Sequence, residues 1–120
     1  MQAHSILAID QGTTSTRVLH VDVAGRVMRM AARAVDTVYP ADGWVEQDPC
    51  AILAGMNEAV AECLSGATKP SAIAITNQRE TVLLWERGSG QPLSPAVTWL
   101  LFAATSRSSR RMIGSLVLRR

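Results

Sequence analysis

Hydrophobic and polar residues alternate through the first third of the chain in a way that predicts three consecutive strands. A short apolar run over residues 5–9 ends at Asp10, and a turn-forming, hydroxyl-rich stretch follows it. Residues 17–23 then alternate between two faces, and an Ala-Gly turn leads into a third extended segment over residues 26–35. Alternation interrupted by short turns is typical of an antiparallel meander.

A helix is predicted next, because apolar residues recur at every fourth position. The members of this stripe are Ile52, Met56, Val60 and Leu64. Asp48 suits the N-cap, Pro49 the first helical position and Gly66 the residue past the helix end. Residues 40–43 contain a proline and a glycine and break the pattern before the helix.

The rest of the chain contains several short apolar runs. Residues 72–76 are almost continuously apolar, which predicts a strand that is covered on both faces. A second run covers residues 81–85, a turn is predicted at residues 88–90, and a further strand is predicted to begin at residues 96–99. Strands combined with one helix indicate an α/β protein.

The length and the titratable residues narrow the possible functions. A chain of 120 residues has enough surface to bury for one core, but not for two lobes around a cleft. Cys50 and Cys63 lie on the predicted helix about 20 Å apart, at about 1.5 Å per residue, so they cannot form a disulfide. We expect buried or half-buried thiols. His4 and His20 are isolated, and a metal site built on histidine and cysteine is not expected.

Charge is distributed unevenly along the chain. Residues 1–99 have seven basic against ten acidic residues, a charge of −3, whereas residues 100–120 have five arginines and no acid, a charge of +5. The folded part is therefore mildly acidic, and nucleic acid is not expected as a partner. The sequence has no signal peptide pattern and no apolar run long enough to span a membrane, which predicts a soluble, cytoplasmic protein.

The most specific local feature is the stretch DQGTTSTR at residues 10–17, between two predicted strands. A glycine-centred hairpin loop can turn backbone N–H groups toward an anion, and neighbouring hydroxyls and an arginine add donors for phosphate oxygens. Asp10 could hold Mg²⁺ directly or through water. The stretch lacks the Gly-Lys-Ser/Thr ending and the following helix of a Walker A loop. An ordinary polar hairpin loop is the alternative.

Two further polar segments stand out. Arg79 and Glu80 interrupt two apolar runs, and such a pair can bind a polyol, since the guanidinium donates to hydroxyl oxygens and the carboxylate accepts hydroxyl protons. A local ion pair at a strand end is the alternative. Residues 43–49 (GWVEQDP) require only an aromatic anchor and a helix cap, and they are assigned a structural role.

Taken together and in this order, DQGTTSTR, GWVEQDP and ITNQRET (residues 75–81) resemble signatures of the N-terminal part of the FGGY carbohydrate kinases, over residues 6–99. The resemblance implies a ribonuclease-H-like fold of the actin/hexokinase type, whose two domains close over ATP, Mg²⁺ and glycerol. It further implies ATP-dependent phosphorylation of glycerol to sn-glycerol 3-phosphate, which depends chiefly on positioning and charge stabilisation.

The same resemblance assigns roles to individual residues. The residues implied to contact the nucleotide phosphates are Thr13, Thr14, Ser15 and Arg17. Asp10 would serve the metal, Arg79 and Glu80 would bind the glycerol hydroxyls, and Trp99 would form an apolar wall against the glycerol carbons. Glutamate beside arginine favours glycerol over bulkier sugars. Another FGGY sugar kinase is the alternative within the family.

The resemblance ends at Trp99. Residues 1–99 are therefore predicted to be part of an FGGY kinase N-terminal domain, and residues 100–120 a divergent, irregular basic tail. The hypothesis favoured for this tail is out-of-frame translation, because a shifted frame in GC-rich DNA yields arginine, serine, alanine and leucine. A genuine basic arm that makes the chain a non-catalytic, nucleic-acid-binding module is the alternative. The general base and the adenine-binding domain of the family are absent from these 120 residues, so we expect the chain to be an inactive N-terminal fragment when isolated.

Overall fold

A four-stranded sheet forms the centre of the structure, a computed structural model that describes residues 4–98. Three of its strands follow one another along the chain and are antiparallel: β1 (Ser5–Gln11), β2 (Ser15–Asp22) and β3 (Val27–Ala34). These are the three strands that the alternation predicts, and their meander is confirmed. The register between β2 and β3 shifts once, between His20 and Val21.

The predicted helix is confirmed as α1 (Pro49–Leu64), which packs mainly across β2 and β3. Its N-terminus is capped as expected, because the side chain of Asp48 accepts a hydrogen bond of 2.8 Å from the N–H of Cys50. Gly66 lies just past the helix end with φ +64°, a left-handed conformation that suits glycine. Both ends of α1 are thus determined by residues that the sequence marks.

The hydrophobic core lies between α1 and the sheet. Its buried residues are Leu7, Ile9, Val18, Ala31, Ala59 and Cys63, with Met56, Val60 and Leu64 of the helical stripe packed against them. At the rim, Arg33 of β3 holds the helix through Glu62 at 2.8 Å and Glu58 at 3.1 Å. Side-chain hydrogen bonds to Glu62 and then Glu58 raise the pKa of Arg33.

The fourth strand, β6 (Ala72–Asn77), runs parallel to β1 and lies at the edge of the sheet, in the order β3-β2-β1-β6. The sequence predicts a strand here, which is confirmed, but the expectation that both faces are covered is wrong. Every residue of β6 is exposed, including Ile73 at 62% and Ile75 at 67%. The physical reason is that α1 packs against β2 and β3 and leaves the faces of β6 open.

A second sheet of three short strands lies beside the helix N-terminus. Its strands are β4 (Val38–Ala41), β5 (Trp44–Gln47) and β7 (Ala96–Val97), in the order β4-β5-β7. The break predicted at residues 40–43 is instead a tight hairpin, in which Ala41 pairs with Trp44 and Gly43 has φ +72°. Residues 81–85 form isolated bridges from Val82 to Val97 and from Trp85 to Pro92, rather than a strand.

The cysteines and histidines have well-defined surroundings. Both thiols are free, and Cys63 is buried, but Cys50 is exposed in the first turn of α1, so the expectation of a half-buried thiol is wrong there. Burial raises the pKa of the Cys63 thiol. The ring Nε2 of buried His20 lies 2.7 Å from the Ser5 hydroxyl. Among residues 4–98, no group of three or more His, Cys, Asp and Glu side chains is placed to hold a metal ion.

Several predictions fall on residues 99–120, which lie outside the described part of the chain. These are the apolar wall at Trp99, the end of the last strand, the boundary at residue 99 and both interpretations of the basic tail. Within residues 4–98, no helix is long and apolar enough to cross a membrane.

Candidate functional site

Two loops that are distant in sequence meet at one end of the main sheet. Strands β1 and β6 are parallel neighbours, and their last residues, Gln11 and Asn77, are register partners. The N–H of Gln78 continues this pairing with a 2.8 Å hydrogen bond to the carbonyl of Gln11. Because the carboxyl ends of adjacent parallel strands share an edge, the loop after β1 and the loop after β6 are brought together.

The loop after β1 is a tight hairpin whose backbone is largely fixed. The N–H of Gly12 donates to the carbonyl of Ser15 at 2.9 Å, and a Cβ at Gly12 would lie only 3.0 Å from that oxygen. The N–H of Gly12 is therefore not available to an anion. The predicted binding of an anion by backbone N–H groups of this loop must then involve residues other than Gly12. The carbonyl of Thr14 accepts a 3.0 Å hydrogen bond from the N–H of Val35, just beyond β3.

The residues of this loop that have hydroxyl groups are Thr13, Thr14 and Ser15. The carbonyl of Thr13 accepts a 2.7 Å hydrogen bond from the side-chain amide of Gln47. In a trans peptide the N–H points opposite to the C=O, so this bond directs the N–H of Thr14 away from Gln47. Thr14 is exposed, while Thr13 and Ser15 are half-buried. The loop thus contains three hydroxyl groups and the N–H of Thr14 on a backbone that is held by the hydrogen bonds of the Thr13 and Thr14 carbonyls.

Asp10 and Arg17 lie next to each other at the base of the same hairpin. They are direct partners across β1 and β2, so their side chains share one face of the sheet. Ile9 and Val18, offset by one residue, face the core beneath α1, which places Asp10 and Arg17 on the opposite face. Asp10 is half-buried and Arg17 is exposed. Within residues 4–98, neither Asp10 nor Arg17 takes part in an ion pair.

The loop after β6 carries Arg79 and Glu80. Both side chains are exposed, and they do not form the local ion pair that the sequence leaves open as an alternative, since the ion pairs within residues 4–98 lie elsewhere. Glu80 has φ +58°, the only non-glycine residue among those described with a positive φ. A left-handed conformation at such a residue costs free energy and is concentrated at functional sites.

One cleft joins the two loops. It has a volume of about 430 Å³ and is lined by Thr13, Asn77, Gln78, Arg79 and Glu80. The structure therefore brings one residue of the predicted phosphate loop together with both residues of the predicted polyol pair. The cleft is not lined by the other residues predicted for the nucleotide and the metal, which are Asp10, Thr14, Ser15 and Arg17. They lie near it only because they belong to the same hairpin as Thr13.

Gln47 is the residue of the site that the sequence analysis misses. It belongs to the GWVEQDP segment, for which the sequence predicts a structural role, and the residue is only 1% exposed. Its Nε2 donates to the carbonyl of Thr13 at 2.7 Å and lies 3.0 Å from the hydroxyl of Thr37, while its Oε1 accepts from Gln78 Nε2 at 2.8 Å. The available signal was that Gln47 shares the buried face of β5 with Val45, because a buried amide requires partners.

Comparison with known proteins agrees with this architecture. The sequence profile of the FGGY family of carbohydrate kinases, N-terminal domain, matches residues 5–110. The chain belongs to the FGGY family of carbohydrate kinases. The fold is accordingly the N-terminal part of the ribonuclease-H-like, actin/hexokinase-type fold that the resemblance implies, and this prediction is confirmed.

The curated relatives of the chain include glycerol kinases. The glycerol kinase of Methylibium petroleiphilum is 49% identical over 98 residues, which are 78% of this chain and 20% of that protein. That of Acidiphilium cryptum is 45% identical over 97 residues, which are 78% of this chain and 19% of that protein. The chain therefore spans about a fifth of the length of these relatives.

Solved structures give the same result. A glycerol kinase from Plasmodium falciparum, crystallised with ADP, superposes with a TM-score of 0.82 at 28% identity, covering 98% of this chain and 24% of that one. A xylulose kinase from Rhodospirillum rubrum superposes with a TM-score of 0.77 at 24% identity, covering 95% of this chain and 23% of that one. The second likeness supports the fold alone.

Proposed function

We propose that this chain supplies the phosphate-binding hairpin and the polyol-binding pair of a kinase that transfers the γ-phosphoryl group of ATP to glycerol, giving sn-glycerol 3-phosphate. The observation that carries the proposal is the single cleft lined by Thr13 on one side and by Arg79 and Glu80 on the other. Phosphoryl transfer requires the phosphate and the acceptor hydroxyl to be held next to each other, and this arrangement provides for both.

The nucleotide side of the proposed site is the hairpin after β1. Thr13, Thr14 and Ser15 supply hydroxyl and amide donors for the phosphate oxygens, and Arg17 adds a charged donor from the neighbouring strand. Because the carbonyls of Thr13 and Thr14 are bonded to Gln47 and Val35, the hairpin needs little reorganisation to bind an anion. Preorganised donors of this kind stabilise the charge that is shared among the phosphoryl oxygens.

Mg²⁺ fits the proposed site through Asp10. The ion is commonly held by one or two carboxylates together with nucleotide phosphates and water, and Asp10 offers one half-buried carboxylate beside the hairpin. The ion would neutralise charge on the phosphates, and Asp10 would orient it directly or through water. Arg17 lies opposite Asp10 in the register. The base of the hairpin therefore contains a carboxylate for the metal ion and a guanidinium for the nucleotide phosphates.

The acceptor side of the proposed site is the loop after β6. The guanidinium of Arg79 donates to hydroxyl oxygens and the carboxylate of Glu80 accepts hydroxyl protons, which together suit adjacent hydroxyls of a small polyol. Trp99, outside the described residues, would cover the carbon chain. Glycerol is favoured over a larger sugar because Glu80 follows Arg79 here and because the curated relatives named above are glycerol kinases.

Titration of the ¹⁵N-labelled 120-residue chain with glycerol tests the acceptor side directly. We expect glycerol to shift the amide signals of residues 78–80, and Glu80→Gln to weaken binding by about tenfold or more, as for lost hydrogen bonds to a charged group. Glu86→Gln, an exposed glutamate on the hairpin of residues 85–92, is the matched control and should leave the affinity unchanged. Shifts at residues 78–80 with xylulose but not with glycerol would instead assign the chain to a sugar kinase.

A further inference from the structure

The side-chain amide of Gln47 lies between the two loops of the cleft without lining the cleft itself. It donates to the backbone of the β1–β2 hairpin at Thr13 and accepts from the side chain of Gln78, at the start of the loop that carries Arg79 and Glu80. These two loop partners are 34 and 31 residues away in sequence, and the same Nε2 also lies 3.0 Å from the hydroxyl of Thr37, ten residues away. A single buried group thus contacts both halves of the proposed site.

The orientation of both amides follows from one acceptor. A backbone carbonyl can only accept, so the group of Gln47 that faces Thr13 must be the NH₂, which leaves Oε1 facing Gln78. Gln78 must then present its own NH₂ to Gln47, and its Oε1 is left as a buried acceptor without a partner in the described structure. The hairpin backbone therefore determines how the Gln78 side chain is oriented in the cleft.

The pairing of β1 with β6 does not by itself fix the position of Thr13 relative to Gln78. The ladder between β1 and β6 ends at Gln11 and Asn77, and the last backbone bond joins Gln78 to Gln11. Thr13 lies two residues beyond the end of β1. The hydrogen bonds between Thr13 and Gln47 and between Gln47 and Gln78 connect the two loops past the end of the ladder.

We propose that Gln47 is a positioning residue that fixes the separation between the phosphate-binding hairpin and the Arg79–Glu80 pair. This inference rests on the proposed function for its purpose, since transfer requires the reacting atoms to be about 3–3.5 Å apart and a misplacement of about 1 Å can lower the rate about 100-fold. Gln47 acts through Thr13 and Gln78, and it does not line the cleft. The buried amide of Gln47, which is hydrogen-bonded to Thr13 on one side and to Gln78 on the other, holds the two loops at one distance.

The test follows backbone amide hydrogen exchange in the unliganded 120-residue chain through a double-mutant cycle. The reporters are the N–H groups of Gly12 and Val35, which are bonded to the hairpin carbonyls of Ser15 and Thr14. We expect Gln78→Met to speed their exchange about threefold or more in the wild-type background, and to add no further change in the Gln47→Met background. The N–H of Ser71, bonded to Ser5 at the far end of the sheet, is the internal reference.

A second variant separates positioning from simple support of the fold. In its ionised form, the glutamate of Gln47→Glu keeps an acceptor for Gln78 but has no donor for Thr13, so the exchange of Gly12 and Val35 should rise with the ionised form while the N–H of Gln78 stays protected. Gln91→Met, which replaces an exposed glutamine on the hairpin of residues 85–92, should change none of these rates. If Gln47→Met does not fold, Gln47→Glu takes its place in the test.

The outcomes of these experiments are distinguishable from those of the ligand titrations. Equal acceleration by Gln78→Met in both backgrounds, or equal loss of protection at Gly12 and Gln78 in Gln47→Glu, would overturn the positioning role. Because exchange is measured without ligand, the connection stands or fails independently of glycerol binding. Absence of glycerol binding at residues 78–80 would overturn the proposed function and leave the exchange result as it is.

Discussion

Gln11 and Asn77 are register partners at the ends of two parallel strands, although most of the described chain lies between them in sequence. This pairing places the hairpin after β1 beside the loop after β6, and the cleft between them is lined by Thr13, Arg79 and Glu80. The candidate site is in this sense a product of strand order, since no local sequence feature brings the two loops together.

Arg17 is expected to contribute to nucleotide binding from its exposed position on β2. Arg17→Ala should weaken binding of Mg-ADP about tenfold or more, because hydrogen bonds between charged groups are worth about 1.5–3 kcal/mol. Isothermal titration calorimetry of the 120-residue chain measures the effect. Arg87→Ala, which removes an exposed arginine from the hairpin of residues 85–92, is the matched control. Equal affinities for both variants would remove Arg17 from the proposed site.

The N-cap of α1 makes a prediction about stability. Asp48→Ala should lower the free energy of unfolding by about 1 kcal/mol, since the hydrogen bond to the N–H of Cys50 is lost from the first turn. Urea unfolding followed by far-UV circular dichroism measures this change. Asp36→Ala removes an exposed aspartate outside the helix and should change stability by less than about 0.5 kcal/mol. A stability for Asp48→Ala equal to that of Asp36→Ala would contradict the assigned cap.

The two cysteines should differ in reactivity. Cys50 is exposed in the first turn of α1, whereas Cys63 is buried in the core and its pKa is raised by burial, which keeps it as the less nucleophilic thiol. Iodoacetamide should therefore label only Cys50 in the native chain and both residues after denaturation, as read by mass spectrometry of peptides. Rapid native labelling of Cys63 would show that α1 does not cover the sheet as described.

The free energy of unfolding should depend on pH through Asp22, at the turn between β2 and β3. The pKa of Asp22 lies below its ordinary value of 3.8, chiefly because the backbone N–H of Arg26 donates to its carboxylate, with further hydrogen bonds from the Arg26 side chain and from Ala24. A carboxylate with a lowered folded pKa stabilises the fold above its unfolded pKa, and this contribution is lost as the pH falls through the folded pKa.

Substitution of Asp22 tests this contribution. Asp22→Asn should reduce stability at neutral pH and flatten the fall in stability between neutral and strongly acidic solution, as measured by urea midpoints across that range. Asp42→Asn, on the exposed turn between β4 and β5, is the matched control and should keep the acid dependence of the parent chain. An unchanged acid dependence in Asp22→Asn would show that the turn carboxylate is not the source.

The regular elements of the fold could be predicted from sequence because their signals are local. Alternation defines β1 to β3, and the four-residue stripe with Asp48 and Gly66 at its ends defines α1. The hairpin of β4 and β5 was missed because each strand has only four residues and β4 contains Pro40. Its Asp-Gly turn, a strong hairpin signal, was the available clue.

Burial and long-range bonding could not be predicted in the same way. The apolar run of β6 is typical of a covered strand, but whether a strand is covered depends on where the helix packs, and α1 packs elsewhere. The candidate site shows the same division. The residue types of Thr13, Arg79 and Glu80 indicate their chemistry, whereas the two loop partners of Gln47, Thr13 and Gln78, lie 34 and 31 residues away and depend on the tertiary fold.

The most direct test of the shared cleft uses Mn²⁺ in place of Mg²⁺ with ADP on the ¹⁵N-labelled 120-residue chain. A paramagnetic ion on the phosphates should broaden the amide signals of residues 13–15 and, across the cleft, those of residues 78–80, more strongly than those of residues 86–91, which do not line the cleft. Broadening of residues 13–15 together with unchanged signals at residues 78–80 would contradict the account, because the two loops would then not share one site.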